Sequence, residues 1–213
     1  MSASVLEPPS PQLVALLQEL HICSPAELLR CGKYVRKLAS DLPAFDSVWV
    51  DALVQARKLT PFQASILSSD QPQQLRCGES LLTERLGHGT NSETYLARSF
   101  ANRELHVVKK LFGEELFLSH GFSHGEPRKR LKELVDACQG VAHPGLSLPS
   151  KMMASPGNIV IQSRYIPGFH LGELLVRRGR YPASVVWEIA RQLIESLATL
   201  NRRGIIHGRS EER

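Results

Sequence analysis

The chain has 213 residues, of which 42% are hydrophobic and 22% are charged, and its formal net charge is +5. A chain of this length and composition can bury a sizeable core as one large domain or two small ones. Its lysines and arginines are scattered and only 6% of its residues are aromatic, so we expect no nucleic-acid interface, which needs a basic stripe with stacking aromatics.

The cysteines and the apolar runs indicate a cytoplasmic protein. None of the four cysteines forms a C-x-x-C pair or has a histidine at zinc-finger spacing, so we expect free thiols in a reducing compartment. The amino-terminus lacks the pattern of a signal peptide, and no run approaches the roughly 18 apolar residues of a membrane span. We expect no membrane segment in this chain.

Residues 1–67 are predicted to form a small helical region. Its helices begin with capping patterns: Ser10 before Pro11, Ser24 with Glu27, Asp46, and Thr60 with Gln63. No residues here have catalytic spacing, and His21 is expected at the surface or at a helix end. The polar stretch "SSDQPQQLR", residues 68–76, is predicted to be a linker.

Residues 77–213 have a different pattern, which predicts an α+β fold. Three strands are expected at "ESLLTERLG", "ETYLARSF" and "ELHVVKKLF", with a glycine-rich loop between the first two. A helix follows at "EPRKRLKELVDACQG", then a strand at "NIVIQSRYI". The last predicted elements are a short helix at "LGELLVRR" and a long one at "PASVVWEIARQLIESLATLNRRG".

Five motifs in this part resemble, in order and register, those of a bacterial serine/threonine protein kinase. They are "LGHGTNSETYLA", "HVVKK", "AHPGL", "RYIPGFHLGELL" and "NRRGIIHG". The resemblance covers residues 77–208 and implies an N-lobe with an antiparallel sheet and the αC helix, a hinge, helices αD and αE, and the start of the catalytic loop. In addition, "ARKLTPFQASIL" is similar to an N-terminal extension of kinases from planctomycete-like bacteria.

The resemblance implies an ATP site. The residues at its nucleotide-binding positions are Leu86, Gly87, His88, Gly89, Thr94, Lys109, Ser163, Tyr165 and Ile166. Family glycines let the backbone approach the phosphates, but Ser92 stands at the third glycine position. An alternative for this loop remains open, namely a hairpin turn that needs glycine for its backbone angles.

The lysine and its carboxylate partner can be placed by counting. Lys109 lies 12 residues after Ala97, the usual family spacing, whereas Lys110 points to the other face of the strand; the alternative is two solvated lysines. Without a gap, the αC glutamate position holds Leu134, and only an insertion at Gly140 would bring Glu133 there.

The hinge and the catalytic loop depart from the family pattern. Ser163 falls at the gatekeeper position and Arg164 at an acidic hinge position, while the main chain of Tyr165 and Ile166 could still pair with adenine. The catalytic-loop run is His207-Gly208-Arg209, and a guanidinium cannot take a proton from a substrate hydroxyl. The later metal-binding motifs do not follow, so we expect no Mg²⁺ to be held by this chain alone.

Three hypotheses of different kinds follow. The chain is part of an active kinase whose remaining lobe is encoded elsewhere, a pseudokinase-like nucleotide-binding or scaffold module, or a non-functional fragment. In the last case the αE helix exposes an apolar face, which implies a protein partner or aggregation. A metal site at His120, His124 and His143 is not favoured, because two glycines in the stretch "SHGFSHGE" argue against a helix and no third ligand is close in the sequence.

Overall fold

A computed structural model describes residues 6–39, 45–113, 126–155 and 158–207. The predicted α+β class is confirmed. The helices are α1 (Pro11–Glu19), α2 (Pro25–Ala39), α3 (Asp46–Gln55), α4 (Pro61–Leu67), α5 (Glu126–Cys138), α6 (Leu171–Arg178) and α7 (Ala183–Asn201). The strands are β1 (Arg76–Cys77), β2 (Ser80–Gly89), β3 (Ser92–Ser99), β4 (Leu105–Phe112), β5 (Pro149–Ser155) and β6 (Asn158–Arg164).

The strands form one sheet in the order β1-β2-β3-β4-β6-β5. The sequence pattern predicted β2, β3, β4 and β6 but missed the two-residue strand β1 and the strand β5, whose polar and unbranched residues lack the usual strand signature. This strand pairs antiparallel with β6, with Met152 opposite Ile161. Its pairing with a β-branched neighbour therefore stabilises it more than its own composition does.

The fold divides into two compact units. The first contains the described residues of Met1–His88 and Glu93–His106, and the second those of Gly89–Ser92 and Val107–Arg213. The predicted region boundaries at residues 67 and 77 stay a prediction. Within the predicted linker, however, a 3-10 turn forms at Pro72–Leu75, and Leu75 is fully buried beside Leu20 and Leu81.

The four helices of the first unit enclose a hydrophobic core around Trp49, Leu17 and Leu53. The predicted caps at Ser10 and Thr60 are confirmed, since each hydroxyl accepts a backbone N–H three residues on. Asp46 is not the cap of α3. Phe45 precedes the helix without a side-chain cap, and the Asp46 carboxylate accepts a hydrogen bond from the Ser10 backbone N–H at 2.8 Å instead.

Helix α4 is tied to β2 through its own capping box. Thr60 and Gln63 satisfy each other's backbone N–H groups. The Thr60 hydroxyl also donates to the Thr83 carbonyl at 2.6 Å, and the Gln63 amide donates to the Leu82 carbonyl at 2.9 Å. Because Gln63 is only 3% exposed, these bonds are shielded from water and join the helical region to the strand.

The turns that follow α1 and α3 share one backbone pattern. Helices α1 and α3 are followed by His21 and Arg57, both in the left-handed region, with φ of 51° and 55°. In each turn two backbone N–H groups bond back to carbonyls of the last helical turn, as in a Schellman motif. The next helix begins after "CSP" in one turn and "LTP" in the other, so "HICSP" and "RKLTP" are structural equivalents.

The second unit packs α5 and α7 around a smaller apolar cluster. Cys138, Leu200 and Ile205 are buried there, with Val141 and Leu146 against them. Val135 and Cys138 give α5 its buried face, while its remaining described residues are exposed or half-buried. Helix α7 buries only Ser196 and Leu200 and leaves much of its apolar surface uncovered.

All four cysteines are buried thiols, and none of them is in a disulfide within the described segments. Burial raises the pKa of the Cys23 thiol to about 11, and the nearby Cys31 and Glu27 act in the same direction. The thiol is therefore protonated at neutral pH and is a poor nucleophile. No helix of the described segments is long and apolar enough to cross a membrane.

A buried histidine lies within the first unit. His106 is 6% exposed, and its Nε2 lies 2.9 Å from the Ser80 hydroxyl. Burial lowers the pKa of His106 below its ordinary value of 6.5, while a hydrogen bond with the Glu104 backbone acts in the opposite direction. The folded state therefore favours the neutral imidazole.

We predict that this histidine makes stability depend on pH. Between pH 6.5 and the lower pKa of the folded state, the unfolded chain binds more protons than the folded chain, so the free energy of unfolding falls as the pH falls, by at most about 1.4 kcal/mol per pH unit. Urea denaturation at pH 7.5 and 5.5 should show a smaller loss for His106→Gln than for the wild type. His88→Gln, which removes an exposed imidazole, should keep the wild-type loss; equal losses in all three proteins would contradict the prediction.

Candidate functional site

The predicted glycine-rich loop is a tight hairpin. Strand β2 continues to Gly89 and β3 begins at Ser92, so only Thr90 and Asn91 form the turn. Within the second unit, the Asn91 carbonyl accepts a hydrogen bond from the Phe112 backbone N–H at 3.0 Å. The end of β4 therefore supports the tip of the hairpin.

The two glycines of this hairpin do not serve its backbone angles. Neither Gly87 nor Gly89 has a positive φ, so the alternative that the turn needs glycine for its conformation is wrong. A Cβ added at Gly87 would meet no atom within 4 Å, whereas one at Gly89 would lie 3.2 Å from the Ser92 hydroxyl. Nothing in the described protein therefore requires glycine at position 87.

The other predicted residues of the hairpin differ in exposure. Leu86 is 45% exposed and His88 is exposed, whereas Thr94 is half-buried. Arg85 and Glu93 form a loose ion pair at 3.9 Å, and the Tyr95 hydroxyl donates to the Glu93 carboxylate at 2.5 Å. Burial and this carboxylate raise the pKa of Tyr95, so the hydroxyl remains a donor at neutral pH.

Lys109 is exposed on β4 and has no carboxylate within 4.0 Å among the residues that the structure describes. Glu133 instead forms an exposed contact with Lys129, one helical turn earlier on α5, at 3.9 Å. Leu134 is 42% exposed, while Val135 and Cys138 are buried. This burial pattern agrees with the ungapped alignment, in which the αC carboxylate position holds a leucine.

The predicted hinge follows directly after β6. Ser163 is half-buried and pairs with Pro149 of β5, and the Arg164 carbonyl accepts from the Ser147 hydroxyl at 3.1 Å. In the described chain, no backbone hydrogen bond involves Tyr165 or Ile166. Their main-chain groups are therefore available to a ligand, as an adenine-binding hinge requires.

The catalytic-loop positions are only partly described. Ile205 is buried and His207 is exposed, while Gly208 and Arg209 lie outside the described residues, as do His120 and His124. His143 lies in the second unit, where its Nδ1 accepts the Gly145 backbone N–H at 3.1 Å. Within the described segments, no group of three or more His, Cys, Asp or Glu could hold a metal ion.

The feature that sequence reasoning missed is the left-handed backbone at His21, Arg57 and Arg103. Such angles cost a residue with a Cβ about 1–2 kcal/mol relative to right-handed ones. For His21 and Arg57 the only sequence signal is a repeat, in which a Ser or Thr followed by a proline stands three residues after the left-handed residue. Pattern rules expect glycine at such helix ends, so neither His21 nor Arg57 would have been selected.

The curated relatives of this chain are serine/threonine protein kinases. No family model matches it. CBL-interacting serine/threonine-protein kinases 12 and 18 of Arabidopsis thaliana are 27% and 28% identical over 154 and 132 residues, which is 71% and 61% of this chain. Mitogen-activated protein kinase kinase kinase mkh1 of Cytospora mali is 30% identical over 129 residues, or 57% of this chain.

These matches cover 30%, 24% and 7% of the relatives' own lengths, so the chain corresponds to less than a third of each. They support protein kinase family membership. Together with the antiparallel sheet and α5, they confirm the predicted kinase-like α+β fold with its preceding helical region. They do not indicate a bacterial origin.

The His-Pro turn yields a prediction about packing. A Cβ at Gly145 would lie 2.5 Å from the Ser196 hydroxyl on α7 and 3.3 Å from the His143 ring. Gly145 does not have a positive φ, so alanine fits the backbone and the clash alone should destabilise the protein, by about 1–2 kcal/mol. In urea denaturation, Gly145→Ala should cost less in a Ser196→Ala background than in the wild type. The same cost in both backgrounds would show that Ser196 is not the obstacle.

Proposed function

We propose that this chain is a protein-kinase-family module that binds ATP but does not transfer phosphate on its own. The proposal extends the kinase relationship to specific residues. Leu86 to Gly89 and Thr94 would cover the nucleotide, Lys109 would contact its phosphates, and Ser163, Tyr165 and Ile166 would border the adenine. The motif resemblance further suggests a kinase of the bacterial, planctomycete-like type.

One observation carries the proposal. Gly87 is a glycine that neither its backbone angles nor its neighbours require. Such a position is understandable if a ligand must approach the backbone closely, as phosphates do under a glycine-rich hairpin. Among the described residues, the backbone of Tyr165 and Ile166 has no backbone partner and Lys109 has no carboxylate within 4.0 Å, which is also consistent with groups that bind a ligand.

The residue at the catalytic-base position argues against phosphoryl transfer. Kinases position a metal-bound phosphate and use a carboxylate to accept the proton of the substrate hydroxyl. Arg209 stands at the position of that carboxylate and cannot act as a base. We therefore assign no phosphoryl-transfer step to this chain alone.

We predict that Gly87→Ala weakens ATP binding without loss of stability. Alanine has less conformational entropy to lose than glycine and meets no atom at this position, but its methyl group would occupy the space of the phosphates. Wild-type protein at millimolar ATP should show a raised melting temperature through ligand linkage. Gly87→Ala should melt at or slightly above the wild-type temperature without ATP but show less than half of the ATP-induced rise.

The matched control is Gly172→Ala, a glycine in α6 whose added Cβ also meets no atom within 4 Å. It should retain the full rise. An absence of any rise in the wild type at millimolar ATP would sink the proposal. Metal-dependent incorporation of phosphate by the purified chain would overturn only the second part of the proposal, that the chain does not transfer phosphate on its own.

A second candidate is a scaffold or interaction module, favoured by the surface of α7. Val186, Trp187, Leu193 and Ile194 are all more than half exposed, which forms an unusually apolar helix face. We predict that the wild type self-associates or binds an apolar dye, and that Trp187→Glu with Ile194→Lys reduces both. Light scattering that finds a monomer without dye binding in the wild type would contradict this candidate.

A further inference from the structure

A cavity of about 1070 Å³ lies within the first unit, away from the hairpin glycines. Its walls come from the turn between α1 and α2, the equivalent turn between α3 and α4, and residues of β2, β3 and β4. The volume is at the upper end of that of pockets for small organic ligands. The cavity is therefore large enough to bind a small organic molecule. Its lining contains none of the residues of the proposed nucleotide site.

The lining of this cavity carries more positive than negative charge. Four cationic side chains line it, against two carboxylates: Arg57, Lys58, Arg98 and Arg103, against Glu27 and Glu84. Lys58 is paired with Glu27 at 2.5 Å. The other three cations are arginines without a carboxylate within 4.0 Å in the described part of the chain.

The arginines keep most of their hydrogen-bonding capacity. Arg103 donates one N–H from Nη1 to the His21 carbonyl at 3.2 Å, which orients its guanidinium within the lining and leaves its other donors available. Arg98 is half-buried on β3, where an unpaired charge is less well hydrated than at the surface. Guanidinium groups bind phosphate oxygens through paired N–H donors.

The backbone gives an independent indication. His21, Arg57 and Arg103 are all the non-glycine residues with positive φ in the described segments, and all three line this cavity. Glycines occupy the corresponding positions after α5, α6 and α7, at residues 140, 179 and 204. Among the described residues, non-glycine side chains thus occur in this unfavourable conformation only around the cavity, which points to a role for them.

Compensation of the helix dipole does not explain this arrangement. A cation near a helix C-terminus is favourable, but α2 obtains it from Arg36 and Lys37 within its last turn, without a left-handed residue. Arg98, moreover, belongs to β3, and Arg103 lies in the turn between β3 and β4, so neither stands at a helix end. A ligand that contacts all of these residues explains why they line one cavity better than compensation of the helix dipole does.

Aliphatic side chains also line the cavity, among them Ile22, Leu59, Leu81, Leu96 and Leu105. We propose that the cavity binds a small organic phosphate, whose phosphate group contacts Arg57, Arg98 and Arg103 and whose apolar part lies against these aliphatic side chains. Glu84, which has no cation within 4.0 Å among the described residues, would repel a second anionic group, so the site favours a ligand with one phosphate.

The experiment uses the whole chain with phenyl phosphate as the probe and inorganic phosphate and phenol as its two separate parts. Backbone amide NMR shifts should change at His21–Ser24, Arg57–Thr60 and Arg98, and phenyl phosphate should bind more tightly than either part. Shift changes only outside these residues, or phenol binding as tightly as phenyl phosphate, would overturn the proposal.

Two variants test the arginines. Arg98→Gln and Arg57→Gly should each weaken phenyl phosphate binding roughly ten-fold, since each removes a charge-assisted pair of hydrogen bonds. Arg57→Gly suits the backbone angle and should fold at least as stably as the wild type. Arg36→Ala, which removes an equal charge from α2 outside the cavity, should bind as the wild type does. Unchanged affinity in both cavity variants would rule the site out.

Discussion

The capping box of α4 is the interaction on which the first unit depends. Thr60 and Gln63 close the helix end, and the same two side chains supply the donors for the carbonyls of Thr83 and Leu82. Removing either donor would leave a poorly hydrated carbonyl unsatisfied, at a cost of about 1–3 kcal/mol. A local helix signal thereby becomes a tertiary link between the helical region and β2.

The cavity lies beside that link. Its lining includes the turns that end at Ser24 and Thr60, residues of the sheet, and Arg57, Arg98 and Arg103. A helical region packed through uniform apolar contact would fill such a space. Here a polar attachment at one side leaves room at the other, and the equivalent turns "HICSP" and "RKLTP" both border it.

The proposed nucleotide site and the cavity differ in how glycine is used. In the hairpin, Gly87 stands where its backbone angles and its described neighbours would allow a side chain. At the helix ends, His21 and Arg57 have positive φ, which glycine adopts with less strain. Both departures from local preference are typical of positions selected for a ligand rather than for stability. The first position lies in the proposed nucleotide site, and the second is a feature of the helical region that precedes it in the chain.

The elements whose own residues carry a strong local signal could be predicted from the sequence. Strands β2 to β4, α5 and the long α7 follow from periodicity and caps, and the motif order with Lys109 indicated the kinase-like fold. Strand β5 could not be predicted, because pairing with β6 stabilises it. Asp46 was misplaced as a cap, because a distant partner, Ser10, binds its carboxylate.

The sequence by itself determined which segments are helix or strand and which residue types stand at the kinase positions, since both depend on local spacing and side-chain chemistry. Only the tertiary structure showed that the backbone angles at Gly87 do not require glycine and that the buried Gln63 side chain bonds to β2. It also showed that three arginines from distant segments line one cavity. Backbone angles and burial arise from contacts between residues far apart in the chain, and spacing along the chain does not encode them.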